Sequence, residues 1–132
     1  MTISTDIQEG QLALAEGAWA LAKGLFVRAL EEGDSADAYA GLADAAWWLG
    51  DEDEVFVARE RAYQLYQSEN DQLSAARMAT WLFLDSMEFR GETAIANGWM
   101  QRAKQLLEGH ENTREYGWLM VWEGSLWLSH EN

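Results

Sequence analysis

The chain has 132 residues, 48% of them hydrophobic, which is enough for the core of one domain and argues against wholesale disorder. It contains no Cys, which excludes a disulfide framework, a thiol nucleophile and any cysteine-ligated metal. Nine Lys and Arg stand against twenty-three Asp and Glu, a net charge of −14, so binding of this segment to a nucleic-acid backbone or to an anionic membrane is not expected.

There is also no Pro, the residue that breaks helix interiors, so the chain reads as nearly continuous helix. The first predicted helix covers 4–15 and stops before Gly17. The second covers 18–31, where Ala18, Leu21, Ala22, Leu25, Phe26, Ala29 and Leu30 recur at helical spacing. The third, 35–48, opens at the capping pair Asp34-Ser35 and stops at Gly50. The fourth, 51–68, sets Asp51-Glu52-Asp53-Glu54 against the positive end of its own dipole and carries Val55, Ala58, Ala62, Leu65 and Tyr66 as its stripe. A fifth covers 72–88 and ends before Gly91. The sixth, 92–108, starts at Glu92-Thr93 and carries Trp99, Met100, Ala103, Leu106 and Leu107. The seventh covers 113–129. No segment alternates as a strand. The fold expected is all-α, with a core including Leu21, Ala22, Leu25, Phe26, Ala29, Trp99, Met100, Ala103 and Leu106.

Helices joined by short Gly-containing turns pair antiparallel. Gly17 and Gly50 lie 33 residues apart and Gly91 follows 41 later. Within the first pair, Gly10, Gly17, Ala22, Phe26 and Ala29 fall in an order that resembles the tetratricopeptide repeat, whose period is about 34. The third pair keeps Gly91, Ala96, Met100 and Ala103. The second keeps Gly50 and Ala62 but has Val55 and Arg59 where a small residue and an aromatic are expected. The resemblance implies a right-handed solenoid of about seven helices in a single repeat domain, with repeats at 4–33, 35–69 and 71–109 and a first helix of a fourth at 113–129. Glu9-Gly10-Gln11-Leu12-Ala13-Leu14 recurs as Glu123-Gly124-Ser125-Leu126-Trp127-Leu128, and no second helix follows it. A fragment of a longer protein is therefore expected; the rival reading is a natural terminal cap, although a cap is normally polar outside.

The strings Ala45-Ala46-Trp47-Trp48-Leu49-Gly50-Asp51, Ala58-Arg59-Glu60-Arg61-Ala62-Tyr63, Glu88-Phe89-Arg90-Gly91-Glu92 and Ala96-Asn97-Gly98-Trp99 resemble the helical-repeat region of bacterial LuxR-type transcriptional regulators, over residues 8–128. That resemblance implies a regulatory or scaffolding segment without the family's helix-turn-helix, a protein–protein interaction module that does not itself bind DNA.

Catalysis has little to draw on. His110 and His130 lack a second histidine at metal spacing, and no phosphate-binding glycine loop occurs. Asp51-x-Asp53 lacks the following Gly of a calcium loop and has Ala62 in place of the bidentate Glu. Neither enzyme activity, nor a cofactor, nor a bound metal is expected. The N-terminus lacks a basic region followed by an apolar run, and no stretch approaches the roughly 18 apolar residues of a membrane span; the expected location is the cytoplasm.

Two surfaces stand out. Residues 1–54 hold twelve acids and two bases, a net of −10. Eight tryptophans are many for this length. Trp19 and Trp99 fall on or beside apolar stripes and are expected in the core. On first helices, which line the concave wall of tetratricopeptide arrays, Asp37, Asp44, Trp47 and Trp48 share one face, as do Trp81, Asp85 and Glu88. These seven residues form a candidate groove for a basic or amphipathic peptide, with ring stacking, cation–π attraction and carboxylate pairing. The competing reading makes the rings spacers between helices and the acids a solvated surface. Trp118, Trp122 and Trp127 form a candidate association surface, through which a homodimer is expected; a third reading is a small-molecule sensor with an aromatic pocket.

Overall fold

A computed structural model describes the backbone of residues 3–131 and the side chains of residues 5–124. It is helical, with no strand among the described residues. The chain divides into two compact units, Met1–Asn70 and Asp71–Asn132. The first holds α1 (Ile3–Ala15), α2 (Trp19–Glu31), α3 (Ala36–Leu49) and α4 (Glu52–Ser68). The second holds α5 (Gln72–Asp85), a π-helical turn (Ser86–Arg90), α6 (Thr93–Leu106) and α7 (Arg114–Glu131).

Local chemistry explains most of the ends. Ser35 accepts a hydrogen bond from the Ala38 N–H at 3.2 Å and so caps α3; Asp51 does the same for the Glu54 N–H at 3.4 Å, and Asp71 for the Ser74 N–H at 3.2 Å. Thr113 accepts from the Tyr116 N–H at 3.2 Å and starts α7. The expected entry at Glu92 differs: its side chain makes no cap bond. A glutamate is one methylene longer than the usual capping residues, and Glu92 turns instead toward Arg90, 3.9 Å away. At the far end of α3, Gly50 takes φ +77°, which lets Asp51 N–H bond back to the Ala46 carbonyl at 2.9 Å. Asn70, without a glycine's help, adopts φ +60° after α4. The fifth predicted helix, 72–88, is the one that departs in kind. Its α-helical part ends at Asp85 and five more residues run as a π-turn, a local widening that hydrophobic spacing does not signal.

In the first unit each helix packs on the next, and α1 also meets α3. The core between them is mostly alanine: Ala13, Ala22, Ala29, Ala38, Ala43, Ala45 and Ala58 around Phe26 and Leu42. Small side chains bring the backbones close, and Phe26 fills what is left. A Cβ on Gly10 would lie 2.8 Å from the Phe26 ring, and one on Gly41 only 2.3 Å. The ring is thus seated against backbone on α1 and on α3 together.

In the second unit α5 and α6 pack together, and α7 meets both. Met78, Leu82, Phe83, Ala96, Trp99, Met100, Ala103, Leu107 and Leu119 are buried. Arg102 lies over the Trp99 ring at 4.4 Å from its centroid.

Three expected core residues are corrected. Leu21 is 61% exposed, and Leu25 and Leu106 are only half-buried. On α2 the buried line runs through Ala22, Phe26 and Ala29, with Leu25 partly buried beside it. Leu21 stands one residue before that line, about 100° around the helix. On α6 the buried neighbour is Leu107.

Candidate functional site

The candidate groove residues of the first unit are engaged with their own fold. Tyr66 donates a hydrogen bond to Asp37. Arg59 donates to Asp44 at 3.0 Å, from a side chain that is fully buried. The Arg59 position follows a plain rule: Val55, Arg59 and Ala62 are buried at the same spacing on α4 as Ala22, Phe26 and Ala29 on α2. An arginine stands where the first helix pair has its aromatic. Its stem packs among apolar groups while the guanidinium reaches a carboxylate.

Trp47 and Trp48 part company. Trp47 is half-buried, whereas Trp48 is 56% exposed and lies flat on Trp19, with ring centroids 4.6 Å apart and planes within 5°. Trp47 meets Trp48 edge-on at 5.0 Å and 79°. Trp19, expected in the core, is half-buried in this stack. One turn beyond Trp19, Lys23 bonds to Glu54 at 2.9 Å and lies 3.7 Å from Asp51. The hydrogen bond to Glu54, with the charges of both acids, holds the Lys23 ammonium above its ordinary pKa.

In the second unit Trp81 is half-buried and meets Trp118 of α7 edge-on, at 5.3 Å and 61°. Asp85 is fully buried, so it does not lie on an open wall, and Glu88 is exposed on the π-turn. Of the candidate association surface, Trp118 is half-buried against Trp81 and Trp122 is partly exposed beside Val121, which is 64% exposed. The Trp127 side chain lies outside the described residues.

A cavity of about 300 Å³ opens between α6 and α7, lined by Leu107, Tyr116 and Met120 with Lys104, Glu108 and Glu111 at its rim. Glu123 pairs with Lys104 there. Backbone N–H groups of Glu111 itself and of Gly109 hold the Glu111 carboxyl below its usual value. Among the described residues no three of His, Cys, Asp and Glu come together to hold a metal, and no helix is long and apolar enough to cross a membrane.

The flat Trp19–Trp48 stack and the pairing of Arg59 with Asp44 are the features that residue spacing did not reveal. Trp19 and Trp48 are 29 positions apart, on helices whose separate patterns say nothing of which rings meet. Comparison with models of known protein families, with curated proteins and with solved structures finds no match.

Proposed function

We propose that the chain is a protein–protein interaction module, built of antiparallel helix pairs stacked as a tetratricopeptide-like solenoid and carrying no catalysis of its own. The observation that carries this reading is the seat of Phe26, a fully buried ring on α2 pressed against Gly10 on α1 and Gly41 on α3. One aromatic closes its own helix pair and the start of the next, which is the packing that repeat stacking requires. The neighbour pattern adds support: α1 meets α3 in one unit, and α5 meets α7 in the other. The Trp47-Trp48-Leu49-Gly50-Asp51 string supports placing the module in a regulator of the LuxR type, in the cytoplasm, where it serves as scaffold or regulatory part.

A peptide-display screen against the intact chain tests the module reading. Selection of a defined peptide class, with hydrogen exchange slowed on a contiguous helix surface, is the expected result. A screen that yields no binder removes the reading.

The exposure of Val121 and Trp122 favours a second reading, self-association through α7. Light scattering over a wide concentration range decides it: a Val121→Ser, Trp122→Ser chain should remain monomeric where the parent chain associates. A strict monomer of the parent chain removes this reading.

A further inference from the structure

We infer that the cavity between α6 and α7 is a binding site for a small organic cation, a protonated amine carried on an apolar body about the size of one aromatic ring. The inference goes beyond the module reading and does not depend on it. Each wall is one side of a helix. Lys104, Leu107 and Glu108 lie at i, i+3 and i+4 across the end of α6, and Tyr116, Met120 and Glu123 lie at i, i+4 and i+7 along α7. Leu107, 1% exposed, is the most buried of these residues, and Tyr116 and Met120 are half-buried. Lys104 on α6 bonds Glu123 on α7 and ties the two walls together. Glu108 and Glu111 stand exposed at the mouth. At about 300 Å³ the space lies at the lower end of small-molecule sites, which run to about 1,000 Å³.

Charge and lining choose the occupant. Three carboxylates, of Glu108, Glu111 and Glu123, line the cavity with one ammonium, of Lys104, which is bonded to Glu123. The Glu111 carboxylate accepts from the Gly109 N–H at 3.2 Å, a neutral donor that orients the negative charge without cancelling it. The cavity also lies at the C-terminal end of α6, the negative end of that helix's dipole. An anion is repelled there and a cation attracted. A bare metal ion is not the cation in question, because among the described residues no three of His, Cys, Asp and Glu come together to hold one. The apolar lining selects an organic cation instead. Tyr116 supplies a ring for cation–π attraction, and Leu107 and Met120 offer an apolar body contact without hydrogen bonds, the thioether packing well against an aromatic ring.

The test uses the full chain with labelled methionine methyl groups, titrated in an NMR experiment with three probes: 2-phenylethylammonium, 3-phenylpropionate and ethylammonium. The second keeps the body and reverses the charge; the third keeps the charge and removes the body. The Met120 methyl signal, assigned by its loss in Met120→Leu, should move with 2-phenylethylammonium, while those of the buried Met78 and Met100 stay in place. That probe should bind at least about tenfold more tightly than either of the others. Replacing both exposed acids, Glu108→Gln with Glu111→Gln, should cut its preference over 3-phenylpropionate by about fivefold or more. Met120→Trp, which fills the cavity, should abolish binding, with Glu111 and Tyr116 amide signals as the reporters. Far-UV circular dichroism verifies that each variant folds; if Met120→Trp unfolds the chain, the variant at the two exposed acids carries the test. The site is overturned by an unmoved Met120 signal, by equal binding of amine and carboxylate, or by a folded double variant that keeps the full preference. None of these outcomes touches the module reading, which the display screen decides separately.

Discussion

At the scale of single residues, the contacts of Phe26 set sharp expectations. Removing the ring by Phe26→Ala should cost about 3–5 kcal/mol, because rigid backbone on both sides limits collapse into the cavity. Adding one methyl at the same place from the other side is also unfavourable. Gly41→Ala puts a carbon 2.3 Å from the ring and should cost about 1–3 kcal/mol by overpacking. Gly24 is the contrast, an exposed position in α2 where a Cβ meets nothing within 4 Å, and Gly24→Ala should gain about 0.5–1 kcal/mol of helix stability. Urea denaturation of the three variants against the parent chain checks the order of effects. Asp6 gives a pH signature. Its Oδ1 accepts from Arg28 at 2.8 Å, which lowers the Asp6 pKa below the ordinary 3.8. The folded state therefore binds this proton less readily than the unfolded chain. The stabilisation is complete above the unfolded value and disappears as pH falls through the lower folded one. Asp6→Asn should flatten that acid limb of the stability–pH curve while leaving the neutral-pH fold intact by circular dichroism.

At the scale of elements, helix ends are governed by single polar side chains, and they are where sequence was most readable. Ser35→Ala should lower stability by about 1 kcal/mol, since the Ala38 N–H loses its partner at the start of α3. Helix faces were legible only to within a residue: the apolar stripe of α2 includes Leu21, but the neighbouring helices cover the line through Ala22 and Phe26. An exposed leucine next to a buried alanine reverses what size alone suggests. Alanine is in the core because it lets helices approach, and that depends on the partner helix. The π-turn after Asp85 had no local signal at all. Helical periodicity predicts continuation there, and the structure continues with a wider turn before Gly91 stops it.

At the scale of the whole molecule, the excess of acid is partly consumed inside the fold. Asp6, Asp34, Asp44 and Glu54 each hold a basic side chain. The candidate groove acids Asp37 and Asp44 are thus bonded to Tyr66 and Arg59, while exposed acids such as Glu9, Glu31, Glu60 and Glu69 are spread along the chain. Raising salt should accordingly lower the unfolding midpoint only slightly, because pairs as exposed as Arg61–Asp34 contribute little to stability; the midpoint measured at low and high salt checks this.

Most helix ends, and the absence of strand among the described residues, followed from the chain's own order, because capping, left-handed turns and the 3.6-residue period act over a few neighbouring positions. The glycine and alanine spacing around Phe26 also foretold close helix pairs. Which tryptophans meet did not follow. Trp47 and Trp48 are adjacent in sequence, and yet Trp48 lies on Trp19 and remains largely in water while Trp47 is half-buried. Successive residues point about 100° apart on a helix, so the placement of the next helix settles which of the two is covered. Arg59 shows the same dependence, since it is the packing of α3 on α4 that brings the Asp44 carboxylate alongside its buried guanidinium.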